Sequence, residues 1–325
     1  MVRSILWYGL LAVVVVALAA VAISWPRYRA AVEAGREVLA GGVIASTPRG
    51  DIQYAEAGGG PAVLVSHGAG GGYDQGLLLG RTFVGEGYRF IAPSRFGYLR
   101  SPVPEDSSPA AQADLYAALL DTLGLDKVAV VAVSDGGPPA LQFALRHPDR
   151  ITALVMIAGK SMTPPPSPAL MEPAFNLVFR SDYLFWTITT SGRSALLTLF
   201  GVNAEVQRQA TADAQGFVTG FLATLNPVSL REPGIANDRA TMAFLPEAAF
   251  PLEDIAVPTL VIHAEDDGLQ PYAHGLNSAR RIAGAEFMSL ESGGHMLLSQ
   301  HDEVRRTVDA FLDRRAPAEA PAARP

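Results

Sequence analysis

Residues 128–137 read Val-Ala-Val-Val-Ala-Val-Ser-Asp-Gly-Gly: an aliphatic run rich in valine stops at a hydroxyl, two glycines follow, and a helix-forming stretch begins. Few backbones accept that order. A chain that leaves a buried strand and enters a helix within one residue turns so sharply that the positions two before and two after the corner must be small. Here they are Ala132 and Gly136. Glycine is usual at both places, so Ala132 is a mild departure that the geometry tolerates. Ser134 stands at the corner with its hydroxyl pushed outward, and the amide of Asp135 faces the same point. One short segment thus offers an attacking atom and half of an oxyanion hole, the pattern of a nucleophile elbow.

The surroundings fit that corner. Residues 140–146 are helix-forming up to His147-Pro148, and Pro138 and Pro139 fall near the first turn, where a missing N–H costs little. Strand-like runs at 62–66, 89–92, 127–133, 153–158, 259–263 and 286–290 alternate with helical segments, the order of an open, mostly parallel α/β sheet. The clearest crossover helix spans 109–123: Ser108 suits its cap, Pro109 its first position and Gly124 its end, and Leu115, Leu119 and Leu123 share one face that should meet the sheet. The alternation lapses between about 161 and 250, which opens with Pro164, Pro165, Pro166 and Pro168. That stretch carries Phe175, Phe179, Tyr183, Phe185, Trp186, Phe200, Phe217 and Phe221, and reads as a helical insertion with its own core and an apolar underside over a pocket.

Residues 5–25 are almost wholly apolar, broken only by Tyr8, Gly9 and Ser24. About 20 residues at roughly 1.5 Å each match a hydrocarbon core of about 30 Å. A cleavable secretory signal has a shorter apolar region of about 7 to 15 residues, so a single-pass anchor is preferred. The alanines at 17, 19, 20 and 22 keep cleavage, and with it a secreted or periplasmic product, as the alternative. Trp7, Tyr8 and Trp25 lie at the two ends, where interfacial aromatics belong. Arginines flank both ends, so the side of the membrane is left open. The expected division is an anchor or signal peptide at 1–27, a linker helix at 28–45, a core in two parts at 46–160 and 251–314, a helical cap at 161–250, and a disordered tail at 315–325 rich in alanine and proline.

A net charge of −7 without clustered Lys or Arg argues against a nucleic-acid surface. With no cysteine in 325 residues there is no disulfide, thiolate nucleophile or cysteine zinc site. A corner serine needs a base and an orienting acid. Of six histidines, His295 is the candidate base, because it follows the last strand on the flexible pair Gly293-Gly294. His67 buttresses a loop, His147 sits in a turn, His263 ends a strand, and His274 and His301 are expected on helical surfaces. The acid belongs to the loop after the penultimate strand, where Asp267 is preferred and Asp266 is the fallback. The second oxyanion amide falls in the glycine-rich run 66–72, at Ala69 or else Gly70. That run lacks both the Gly-Lys-Ser/Thr ending of a phosphate loop and a dinucleotide fingerprint, and no metal-ligand spacing is present.

These residues resemble the α/β-hydrolase superfamily, in its lid-bearing serine-esterase branch, over about 52–312. The resemblance rests on His67-Gly68, on the run 93–101 (Pro-Ser-Arg-Phe-Gly-Tyr-Leu-Arg-Ser), on Ser134-Asp135-Gly136-Gly137, on Pro148-Asp149-Arg150, on Asp267 and on Gly294-His295. It implies an eight-stranded, mostly parallel sheet flanked by helices, an inserted cap and no cofactor. Asp135 is a departure, a charge where a neutral residue is commoner, and is expected to point into a polar network away from the pocket. An aspartate nucleophile of the dehalogenase or epoxide-hydrolase kind would have to stand at 134. The expected activity is hydrolysis of a moderately hydrophobic ester, or a thioester or amide, with Ser134, His295 and Asp267 as triad and Ala69 and Asp135 as oxyanion donors. Carbon–carbon hydrolase, peptidase and acyltransferase or peroxidase chemistry stay open on the same scaffold, as does a non-catalytic, membrane-displayed ligand-binding module.

Overall fold

The computed structural model describes residues 2–164 and 177–315. Pro165, Pro166, Pro168, Phe175 and the tail beyond 315 lie outside the described residues. Eight strands form one sheet: β1 (Val43–Thr47), β2 (Gly50–Gly58), β3 (Ala62–Ser66), β4 (Arg89–Pro93), β5 (Val128–Val133), β6 (Ile151–Ile157), β7 (Thr259–Ala264) and β8 (Glu286–Leu290). Their spatial order is β1-β2-β4-β3-β5-β6-β7-β8. The β1–β2 and β2–β4 pairs are antiparallel and every other pair is parallel.

The central strands are buried on both faces, as a parallel sheet between helical layers requires. Alternate residues divide between two cores. Val131, Val133, Val155 and Ile262 face one side with α2 (Tyr73–Phe83), α11 (His301–Asp313) and the cap. Val130, Ala132, Leu154 and Val261 face the other with α3 (Pro109–Thr122) and α4 (Gly137–Arg146). Ser108 caps α3 by accepting from the Ala111 amide, and Leu115 and Leu119 are buried under the sheet with Leu123 packed beside them.

Two features depart from the sequence expectation. The apolar segment and the linker helix are one continuous α1 (Val2–Ala40), which passes through Pro26, and residues 43–47 are already strand. Proline removes one helical hydrogen bond, a cost that the long helix absorbs without ending. The edge hairpin β1–β2 is the second addition, since its partly exposed, polar strands carry little periodic signal. Between β6 and β7 the described residues are helical: α5 (Asp182–Ser191), α6 (Arg193–Leu199), α7 (Ala204–Gln209), α8 (Ala212–Thr224) and α9 (Glu232–Thr241), with short 3₁₀ turns. The helix between β7 and β8 is α10 (Ala273–Arg281).

Candidate functional site

Ala69, Ser134, Asp267 and His295 each follow the carboxyl end of a parallel strand, the edge where open α/β sheets place their ligands. Ser134 leaves β5 with φ +55° and opens a 3₁₀ turn, Ser134–Gly136, that runs directly into α4. A serine held at positive φ carries strain of about 1–3 kcal/mol and persists only where its surroundings enforce it. Enforcement comes from the neighbours. A Cβ at Gly136 would run into the Ser66 carbonyl, so only glycine lets the turn close against β3. The buried Ala132 fits between its sheet partners Ser66 and Met156, which explains why alanine is accepted there.

His295 arrives after β8 on a 3₁₀ turn, Gly294–Met296, preceded by Gly293 at φ +127° and Gly294 at +59°. Its backbone amide donates to the Phe200 carbonyl of the cap at 2.8 Å. Its ring Nδ1 donates to Asp267 Oδ2, also at 2.8 Å, with both side chains buried. With Nδ1 bonded to Asp267, Nε2 is the ring nitrogen left to act on a ligand. Asp266 acts on the backbone instead. Its carboxylate accepts from the amides of Gly293 and Gly294 at 3.2 and 2.8 Å and so holds the histidine loop.

Asp267 Oδ1 accepts from the amides of Leu269 and Gln270, at 2.9 and 2.8 Å. A second imidazole, His263 Nε2, lies 3.3 Å from Oδ2 and 2.9 Å from the Gln270 carbonyl. Burial alone would raise the Asp267 pKa. Electrostatic attraction to the His295 imidazole and the hydrogen bonds from His263, His295 and the Gln270 amide overcome it and hold the carboxyl well below its usual range.

Ser134 and His295 line one cavity. Its other walls are Leu79, Phe83, Val133, Phe200, Phe217, Phe221, Leu225, Leu269 and Met296, with Gln75 as a polar side chain. The His295–Asp267 half of the expected triad is bonded, whereas no hydrogen bond joins Ser134 Oγ to the imidazole. Such contacts commonly tighten only when substrate is bound.

Ala69 lines the same cavity. In its loop the Gly68 amide donates to Gln75 Oε1 and the Gly70 amide to Tyr98 Oη, at 3.2 and 3.3 Å. The Ala69 amide, between them, makes no such bond and is available to a ligand. Asp135 is the second residue of the 3₁₀ turn, where the first amides have no partner inside the turn.

Residues 61–190 match the model described as alpha/beta hydrolase fold, and residues 245–320 match a second model, TAP-like protein. The chain is 30% identical over 295 residues to 2-hydroxymuconate semialdehyde hydrolase of Pseudomonas putida, covering 86% of this chain and 94% of that one. The chain belongs to the α/β-hydrolase superfamily. It is 26% identical to 2-hydroxy-6-oxo-6-phenylhexa-2,4-dienoate hydrolase of Comamonas testosteroni, over 81% of this chain and 92% of that one. Among solved structures, an α/β hydrolase fold protein from Nakamurella multipartita superposes with TM-score 0.69 at 29% identity, covering 84% of this chain and 99% of that one.

Around the cavity this α/β-hydrolase has buried polar groups whose connections the sequence does not announce. The Asp135 side chain pairs with Lys160 Nζ at 2.6 Å and accepts from Gln270 Nε2 at 3.0 Å. Burial would raise its pKa, but the Lys160 charge and hydrogen bond outweigh that and lower it. Asp135 is therefore a compensated charge directed away from the cavity walls. Gln270 connects Asp135, Asp267 and His263 through its side chain, amide and carbonyl.

Two buried ion pairs join the loop 66–72 to the helical segment between β6 and β7. Arg95 makes a bidentate pair with Asp238 of α9, both bonds 2.7 Å, and also donates to the carbonyls of His67 and Gly68. Tyr98 Oη donates to Asp238 at 2.6 Å. Arg231 pairs with Asp74 and donates to the Gly71 carbonyl at 2.8 Å. His67 does buttress the loop: its Nδ1 donates to the Gly68 carbonyl, and its Nε2 accepts from the Arg95 amide. Burial and the Arg95 charge keep that ring neutral.

His274 departs from its expected place on a helix surface. It is buried and faces Ser161, and burial with the His263 and Lys160 charges lowers its pKa to about 4. His301 is half-buried, with its ring against Phe217. Among the described residues no group of three His, Cys, Asp or Glu side chains is arranged to hold a metal ion.

Proposed function

We propose that this α/β-hydrolase is a serine hydrolase that cleaves a neutral, hydrophobic ester through an acyl-enzyme. The observation that carries this is the sharing of one apolar cavity by a strained elbow serine and a histidine whose far nitrogen is bonded to a buried carboxylate. Ser134 Oγ attacks the carbonyl carbon as His295 Nε2 takes its proton. Asp267 holds the ring and stabilises the imidazolium that forms. The amides of Ala69 and Asp135 receive the charge that develops on the carbonyl oxygen. His295 then returns the proton to the leaving alcohol, and a water, activated by the same nitrogen, releases the acid and restores Ser134.

Carbon–carbon hydrolysis is the second reading, favoured by the names of the relatives. A dienoate substrate carries a carboxylate, and that charge needs a partner where water is excluded. Among the described residues the cavity walls contain no Lys or Arg. That favours an uncharged substrate. Hydrolysis rates for neutral p-nitrophenyl esters of rising acyl length, set beside those for a 2-hydroxy-6-oxo-dienoate, decide between the two. Ester turnover that exceeds dienoate turnover is expected, and the reverse order would assign the chain to carbon–carbon cleavage.

The apolar part of α1 is long enough to cross a membrane, and none of it is buried. We infer that it is a single-pass anchor, with the core and its inserted cap carried on one side of it. The aromatic residues at its ends support this more than they support a cleaved leader.

A further inference from the structure

We propose that the cap rests on the headgroup layer of the bilayer that α1 crosses, with α1 acting as a rigid strut between membrane and enzyme. The proposal rests on the anchor reading above and goes beyond it, because an anchor joined by a flexible tether would leave the cap free of the surface.

The junction is built, and it lies where the apolar stretch ends. Ser24 Oγ shares a 2.6 Å hydrogen bond with Tyr183 Oη of α5. The Trp25 ring packs on Tyr183 with centroids 6.1 Å apart, and Tyr28 packs on Tyr183 at 5.2 Å and on Trp186 at 5.8 Å. Four aromatic rings, two from α1 and two from the cap, thus form one cluster. Tyr28 lies three residues beyond Trp25, about 4.5 Å along the helix axis. The headgroup layer on each side of the hydrocarbon is about 5–8 Å deep. The cluster therefore falls at the depth that Trp and Tyr favour, with an apolar body toward lipid and a polar edge toward water. Arg27 and Arg29 are exposed at the same level, where they complement lipid phosphates. Leu177, 65% exposed ahead of α5, is a free apolar side chain on the cap.

Further along, the helix is held too tightly to swing. Gly35 packs so closely on the Pro227 ring that a Cβ has no room. Tyr73 Oη donates to the Val38 carbonyl at 2.8 Å, and Gln53 Nε2 donates to the Gly41 carbonyl at 2.5 Å. Contacts from Ser24 to Leu39 thus tie α1 to both cap and core.

The chain contains three tryptophans, Trp7, Trp25 and Trp186, so two reporters can be isolated. The full chain carrying Trp25→Phe and Trp7→Phe reports from Trp186 in the cap, and Trp25→Phe with Trp186→Phe reports from Trp7 in the span. Each is reconstituted into phosphatidylcholine vesicles brominated near the headgroup. The expected result is a loss of Trp186 emission of the same order as that of Trp7. Gly35→Leu, added to the Trp186 reporter, should reduce that quenching while the Trp7 reporter stays quenched. Quenching of Trp7 without quenching of Trp186 would overturn the docked cap and leave the anchor standing. Quenching of neither would overturn the anchor and the proposal together.

Discussion

At the scale of single residues, the carboxylate that orients His295 is itself held by more groups than a triad names. Asp267 takes hydrogen bonds from two amides and has two imidazoles within reach. A hydrogen bond to a charged group contributes about 1.5–3 kcal/mol, which is roughly 10- to 100-fold in a rate if the whole of it bears on the transition state. His263→Ala is therefore expected to lower kcat by about tenfold with KM little changed and to move the acid limb of the pH–rate profile. His263→Gln, which keeps a donor, should recover part of both. An unchanged profile in His263→Ala would reduce His263 to packing.

His274 bears on stability through its pKa. Its folded value, about 4, lies below the unfolded value of about 6.5, so the unfolded chain binds the proton more readily. The contribution is complete above pH 6.5 and is lost as pH falls toward 4. The melting temperature should decline over that window, and the decline should be shallower in His274→Asn; an identical slope in the variant would contradict the assignment. At this scale the sequence left Asp266 and Asp267 as alternatives, because adjacent residues in a loop differ only in where the backbone aims them. His263 gave no signal, since a histidine ending a strand looks the same whether or not a carboxylate turns back toward it.

At the scale of elements, β5, its turn and α4 were legible because their constraints are local: a corner this tight selects small residues within a few positions. The edge hairpin β1–β2 was not legible, because few of its residues are buried and its anchor is Gln53, a fully buried polar residue bonded to the Leu39 carbonyl of α1 and to the Arg100 amide. The cap–core ion pairs were equally silent, since Arg95 and Asp238 are 143 positions apart. Breaking a buried pair by removing one partner costs about 3–5 kcal/mol, whereas an apolar replacement of both can be neutral. Asp238→Ala should therefore lower stability by that amount in denaturant titrations. Arg95→Met with Asp238→Leu should recover stability while activity stays low, because the carbonyls of His67 and Gly68 lose their donor and the oxyanion loop is freed. Full activity in the double variant would show that the pair serves folding alone.

At the scale of the whole molecule, an alternating α/β pattern, an interrupting helical stretch and a serine corner were enough to reach the superfamily. The substrate was not reachable, because the cavity is assembled from α2, the cap, the end of β5 with its turn, and three further loops that meet only in the folded chain. The central claim is that Ser134 is the nucleophile, activated by His295. Treatment of the purified full chain with a fluorophosphonate, followed by mass spectrometry of the digest, tests it most directly. One phosphonyl adduct on the Ser134 peptide is predicted, absent in Ser134→Ala and slowed about a thousandfold or more in His295→Ala. No adduct on the wild-type chain, or an adduct that persists in Ser134→Ala, would contradict the account.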